Sequence, residues 1–151
     1  MMESSSFTEI IDFAIKREED AIDAYGKMSE STKIPGLKEL LLELQQEEMD
    51  HRKLLQDITK EQIEALEVFG VIDLKISDYL VEEPPNAEMM FQDLLIFAAK
   101  KEQKAVELYS NLAENAKSIE LKKLFDFLIE QEKLHKLKLE KEYENQVLVE
   151  D

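Results

Sequence analysis

The sequence predicts an all-α protein, an antiparallel four-helix bundle built from two related helical hairpins joined by a long crossover. The chain has only three Gly and three Pro in 151 residues, too few for a β-rich fold with its many turns. Glu, Lys, Leu and Ala dominate, and these are strong helix formers. The chain also repeats itself. Residues 13–55, shifted by 84 positions, align with 97–139 without a gap, and fifteen of the forty-three pairs are identical. Among them are Phe13/Phe97, Glu18/Glu102, Ala21/Ala105, Tyr25/Tyr109, Leu44/Leu128, Glu48/Glu132 and His51/His135. Two hairpins of one kind around a pseudo-twofold axis would produce such a repeat.

The elements follow in order. Ser6 and Glu9 have the spacing of a capping box, and a first helix runs from there to Glu30 or Ser31. Its apolar stripe is Phe7, Ile11, Ala14, Ala21, Tyr25 and Met28. The run Lys33-Ile34-Pro35-Gly36 breaks it, because the residue before proline is pushed out of the helical region. A second helix begins near Leu37, with Leu40, Leu44, Leu55 and Ile58 on one face. Residues 59–86 form the crossover, with a short helical piece over Glu61–Phe69 and breaks at Gly70 and Pro84-Pro85. That length suits a bundle whose connected helices are not neighbours. Asn86 caps a third helix bearing Phe91, Leu94, Ala98, Ala105, Tyr109 and Leu112. After a turn near Lys117-Ser118 comes a fourth helix with Leu121, Leu124, Leu128 and Leu139. The tail from Asn145 to Asp151 is expected to fray.

Length and composition limit the function. One ordinary domain covers residues 1–151, and 44% hydrophobic residues suffice for a core. The net charge of −16 argues against nucleic acid, which needs a basic face, and against anionic membrane surfaces. The same charge is compatible with attracting cations. No cysteine is present, so disulfides, thiolate metal sites and cysteine nucleophiles are excluded. Met1 to Lys16 shows no basic region followed by an apolar core, and no apolar run is long enough to span a bilayer. A soluble, cytoplasmic protein is expected.

The apolar stripes are interrupted at telling positions. In the first helix the stripe steps 7, 11, 14, 18, 21, 25, 28, and position 18 is glutamate. In the second it steps 37, 40, 44, 48, 51, 55, 58, and positions 48 and 51 are Glu and His. The same phase in the second half yields Glu102, Glu132 and His135. Residues i and i+3 share a helix face, so Glu48 with His51, and Glu132 with His135, can each grip one ion. Glu18 and Glu102, near the middle of their helices, can bridge two ions. Four buried carboxylates cannot all ionise without compensating charge. Two divalent cations supply four positive charges. Oxygen and nitrogen donors together suit iron or manganese, and affinity also allows zinc. A single Glu-x-x-His is common by chance on charged helices. Six polar residues at core phase, matched in both halves, are not, because buried ionisable residues are rare unless paired or metal-bound.

This pattern resembles the ferritin-like superfamily of di-iron carboxylate bundles, and within it the rubrerythrin branch, from about Phe7 to Tyr143. In that family the isolated glutamates match Glu18 and Glu102, and the Glu-x-x-His pairs match Glu48/His51 and Glu132/His135. A tyrosine two turns beyond each isolated glutamate is matched by Tyr25 and Tyr109. The resemblance implies that these hydroxyls hydrogen-bond ligand carboxylates. A core aromatic with a wet hydroxyl accounts for them equally well. Two departures stand out. Rubrerythrins typically carry an extra glutamate one turn after the third-helix ligand, where this chain has Ala105. They also often append a four-cysteine rubredoxin module, which a chain without cysteine cannot form. Met49 stands where bacterioferritins place a haem-ligating methionine, but methionine is also ordinary packing material.

The resemblance implies two iron ions and an oxidoreductase that reacts ferrous iron with hydrogen peroxide or dioxygen. Glu18, Glu48, Glu102, Glu132, Tyr25 and Tyr109 would take part in the chemistry. Electrons would come from an external donor protein. A homodimer or larger homo-oligomer is expected, with exchange of hairpins between chains an open route. Iron binding or storage without turnover, and a structural metal in an interaction protein, are the alternatives, because fold does not choose among them.

Overall fold

The computed structural model describes residues 7–59, 62, 91–116 and 118–150. Four helices and no strand occur among the described residues: α1 (Phe7–Ser31), α2 (Pro35–Gln56), α3 (Phe91–Asn115) and α4 (Ile119–Glu150). The chain divides into two compact units, Met1–Ile76 and Ser77–Asp151. Each holds one helical hairpin. The all-α expectation holds. The Ser6 end of the expected capping box, the helical piece over 61–69 apart from Gln62, and the cap at Asn86 lie outside the described residues.

In the first unit, a short link turns the chain from α1 into α2. The backbone N–H of Ile34 donates to Thr32 Oγ1 at 3.2 Å, a local turn that competes with helix. α2 then opens with proline in its first turn, at Pro35 rather than near Leu37. Proline is suited to that position, since its missing N–H has no helical partner there and its φ is already helical. So short a link makes α1 and α2 antiparallel neighbours. The helices approach closely at Gly26. A Cβ there would come within 2.6 Å of Gln45 Nε2, and that nitrogen donates to the Ile22 carbonyl at 3.1 Å. Beyond the end of α2, Thr59 and Gln62 hydrogen-bond each other reciprocally. Gln62 N–H donates to Thr59 Oγ1 at 3.1 Å and Thr59 N–H to Gln62 Oε1 at 2.9 Å, satisfying two backbone donors reciprocally.

The second unit repeats the plan with a different link. Ser118 caps α4, accepting a hydrogen bond on Oγ from the Leu121 N–H at 3.3 Å. Capping of this kind stabilises a helix by about 1 kcal/mol. α4 continues to Glu150, which corrects the expectation of a frayed tail from Asn145. No Gly or Pro follows Ser118, and Leu139–Glu150 is mostly composed of residues that tolerate helix well.

The buried faces are broader than the stripes expected from sequence. Ile10 and Ile22 join Ile11, Ala14, Tyr25 and Met28 in α1, and Leu41 is buried in α2 where Leu40 is only half-buried. Leu95 likewise replaces Leu94 in α3, and Phe125 replaces Leu124 in α4. Each shift is one residue, or 100° around the helix. An apolar face wider than 100° covers both neighbours, so the strip read from sequence marks its middle and not its edges.

Candidate metal centre

Seven polar or charged residues are buried among the described ones, and six are those singled out from sequence: Glu18, Glu48, His51, Glu102, Glu132 and His135, none more than 2% exposed. The seventh is Ser29, whose hydroxyl donates to the Gly26 carbonyl of its own helix at 2.7 Å. Burying a carboxylate costs several kcal/mol unless another charge compensates it. The clustering of all remaining buried charge at these positions therefore needs a chemical reason.

In the first hairpin, α1 supplies Glu18 and α2 supplies Glu48 and His51 from the same face, three residues apart. His51 Nδ1 lies 3.1 Å from Glu48 Oε1 and 3.8 Å from Glu18 Oε2. In the second hairpin, α3 supplies Glu102 and α4 supplies Glu132 and His135. His135 Nδ1 lies 3.6 Å from Glu102 Oε2 and 3.8 Å from Glu132 Oε1. In each hairpin the three residues offer one ligand atom apiece, all within 4.8 Å of one another. Two carboxylates and one imidazole, buried and converging, are a donor set that suits a first-row divalent cation.

Sequence reasoning missed Arg17. Its side chain is 11% exposed, and Nη1 donates to Glu18 Oε1 at 2.9 Å and to Glu48 Oε2 at 3.4 Å. A signal was available. The repeat puts a second basic residue, Lys101, at the matching position beside Glu102. The Lys101 ammonium lies 5.0 Å from the centre of the Phe97 ring, within cation–π range.

Tyr25 and Tyr109, expected beside the ligands, are 2% and 0% exposed. Tyr109 is stacked on Phe125, ring centres 6.5 Å apart and planes 11° from parallel. Ala105, where the extra glutamate of rubrerythrins is missing, is fully buried. Met49 is half-buried. On the outer surface Lys16 Nζ meets Asp20 at 3.0 Å, and this hydrogen bond raises the Lys16 pKa above its ordinary value. No helix among the described residues is long and apolar enough to cross a membrane.

Comparison with proteins of curated function finds no match. Among solved structures, the chain is similar to a Thermotoga maritima protein described as ferritin-like and diiron-carboxylate. Identity is 19%, the TM-score is 0.78, and 97% of this chain and 99% of that one are covered. CopM in its Cu(I)-bound form matches with 18% identity and a TM-score of 0.66, over 94% of this chain and 98% of that one. At these identities the likeness establishes the fold, a ferritin-like four-helix bundle. A hypothetical protein from Pyrococcus furiosus is 30% identical, with a TM-score of 0.71 and coverage of 92% of this chain and 89% of that one. The Rubrerythrin family model matches residues 9–143, a stretch that contains all six buried glutamates and histidines. The chain belongs to the rubrerythrin family.

Proposed function

We propose that the two half-sites act together as one centre for two metal ions, with Glu18, Glu48, His51, Glu102, Glu132 and His135 as ligands. In this reading residues 1–151 form one domain, with 59–86 as its crossover, and iron is the resident metal. The observation that carries it is the convergence, in each hairpin, of two buried carboxylates and one imidazole on donor atoms within 4.8 Å of one another. Surface acidic clusters are common and need no ion. Buried ones are rare without compensation.

The function we assign is an oxidoreductase of the cytoplasm that reacts ferrous iron with hydrogen peroxide or dioxygen. When bound, the metal pair supplies two electrons and polarises the oxygen species. The chain's own groups do the rest. Carboxylates favour the ferric state by their charge. The imidazoles, each with Nδ1 toward the carboxylates, would each supply one nitrogen to the metal. Tyr25 and Tyr109 hold ligand carboxylates by hydrogen bonds and keep the site dry. Electrons return from a separate donor protein. A homodimer or larger assembly fits the exposed Phe127, Leu134 and Leu137 of α4, apolar residues that a second copy would cover.

The test begins with metal analysis of protein purified without added metal. Anaerobically reduced, iron-loaded protein is then mixed with peroxide or with dioxygen, and ferric absorbance is followed. Oxidation well above the rate of free ferrous iron supports the enzyme. Binding of two irons with no acceleration would leave only a storage or structural role.

A further inference from the structure

Arg17 lies against both carboxylates of the first half-site. Glu18 turns Oε1 to the guanidinium at 2.9 Å and Oε2 toward His51 Nδ1 at 3.8 Å. Glu48 turns Oε2 to the guanidinium at 3.4 Å and Oε1 to His51 Nδ1 at 3.1 Å. Each carboxylate is thus shared, one oxygen facing a guanidinium and the other an imidazole. An arginine does not lose its proton in a protein. The first half-site therefore holds a permanent positive charge whether or not metal is present.

We propose that Arg17 is a resident counter-cation of this half-site: it holds Glu18 and Glu48 together in the metal-free protein and weakens divalent metal binding there. The inference rests on the metal reading above. Its physical basis is simple. Two buried carboxylates repel each other unless a cation stands between them. Arg17 supplies one charge where a divalent ion would supply two. An ion placed among Glu18 Oε2, Glu48 Oε1 and His51 Nδ1 would then sit close to that same guanidinium and be repelled by it. The second hairpin differs in kind at the matching position, with the ammonium of Lys101 over the Phe97 ring.

The experiment uses the full chain, as wild type, Arg17→Gln and Arg17→Lys. Each is melted in chelator, and each is titrated calorimetrically with zinc, which is redox-inert. Arg17→Gln should melt roughly 5 °C or more below wild type in chelator, because its two buried carboxylates lose their cation. One of its zinc-binding steps should tighten by about tenfold or more. Arg17→Lys, which keeps the charge, should stay near wild type in zinc affinity. Should Arg17→Gln be unfolded in chelator, recovery on adding zinc supports the same conclusion, and failure to recover overturns it. If wild type binds zinc and Arg17→Gln binds it no more tightly, or melts no earlier in chelator, the counter-cation role falls and the metal site stands. If none of the three binds zinc, the metal site itself falls, and this inference with it.

Discussion

Glu48 and His51 stand one turn apart on α2 with Oε1 and Nδ1 3.1 Å from each other, while the matching Glu132 and His135 on α4 are 3.8 Å apart. Metal–donor bonds of ~2.1 Å meeting at angles from 90° to 130° separate two donor atoms by ~3.0–3.8 Å. Both pairs therefore fall within the span that one ion can bridge, the first at the narrow end and the second at the wide end. The same sequence spacing has given two slightly different bites.

Removing one bite should remove one ion. We expect His51→Ala with Glu48→Ala to reduce bound metal from two ions per chain to about one, given the separate i,i+3 pair on α4. Elemental analysis against protein concentration measures this, with circular dichroism confirming the helices. Two ions still bound to the double variant would show that these residues are not ligands.

The fold and six buried residues were legible in the sequence because they break a rule there. Position 18 falls on the apolar stripe of α1 and is glutamate, and the 84-residue repeat shows the same breach at Glu102. Arg17 was not legible by that logic. It lies at the edge of the stripe, where a basic residue on a charged helix is unremarkable. Its long side chain folds back onto Glu18 and Glu48, a course that stripe position does not reveal. Proline both breaks α1 and opens α2 at Pro35, because at a first helical position it is favoured, so the break in the sequence does not by itself mark where the second helix starts. α4 extends past Asn145 to Glu150, since the helical propensity of its last residues outweighs the tendency of chain ends to fray.

Metal should stabilise the protein, and less so in acid. A ligand that binds only the folded chain adds stability in proportion to the logarithm of its concentration over its dissociation constant. Carboxylates and imidazoles must be deprotonated to bind metal, so affinity falls as pH falls. The melting temperature of loaded protein should exceed that of chelated protein at neutral pH, and the gap should narrow toward pH 5. Thermal melts of both forms across this range are the check. A gap that is absent at pH 7, or that widens in acid, contradicts the site.

Tyr109 offers a test of the groups around the ligands. Its ring is fully buried and stacked on Phe125, so Tyr109→Phe preserves volume and should change stability by only about 1 kcal/mol. If the hydroxyl holds a ligand carboxylate, metal affinity should drop by about tenfold or more. Tyr25→Phe should behave alike in the first hairpin. Unchanged zinc affinity in both variants would make these tyrosines core residues and nothing more.

Glu102 separates catalysis from stability most sharply. It is 1% exposed, and its carboxylate converges with Glu132 and His135. Replacing it by alanine removes a buried negative charge from a site that already holds others. In chelator, Glu102→Ala should therefore melt no lower than wild type, and higher if repulsion outweighs the small cavity left behind. With iron the sign reverses. A ligand is lost, the metal-induced rise in melting temperature should shrink, and ferrous oxidation by peroxide should slow by about a hundredfold or more, a loss of ~2.7 kcal/mol in transition-state stabilisation. Stopped-flow oxidation and paired melts of the same preparation measure both signs together. A variant that is destabilised in chelator yet oxidises iron at the wild-type rate would show Glu102 to be a packing residue, and would remove the third-helix carboxylate from the proposed centre.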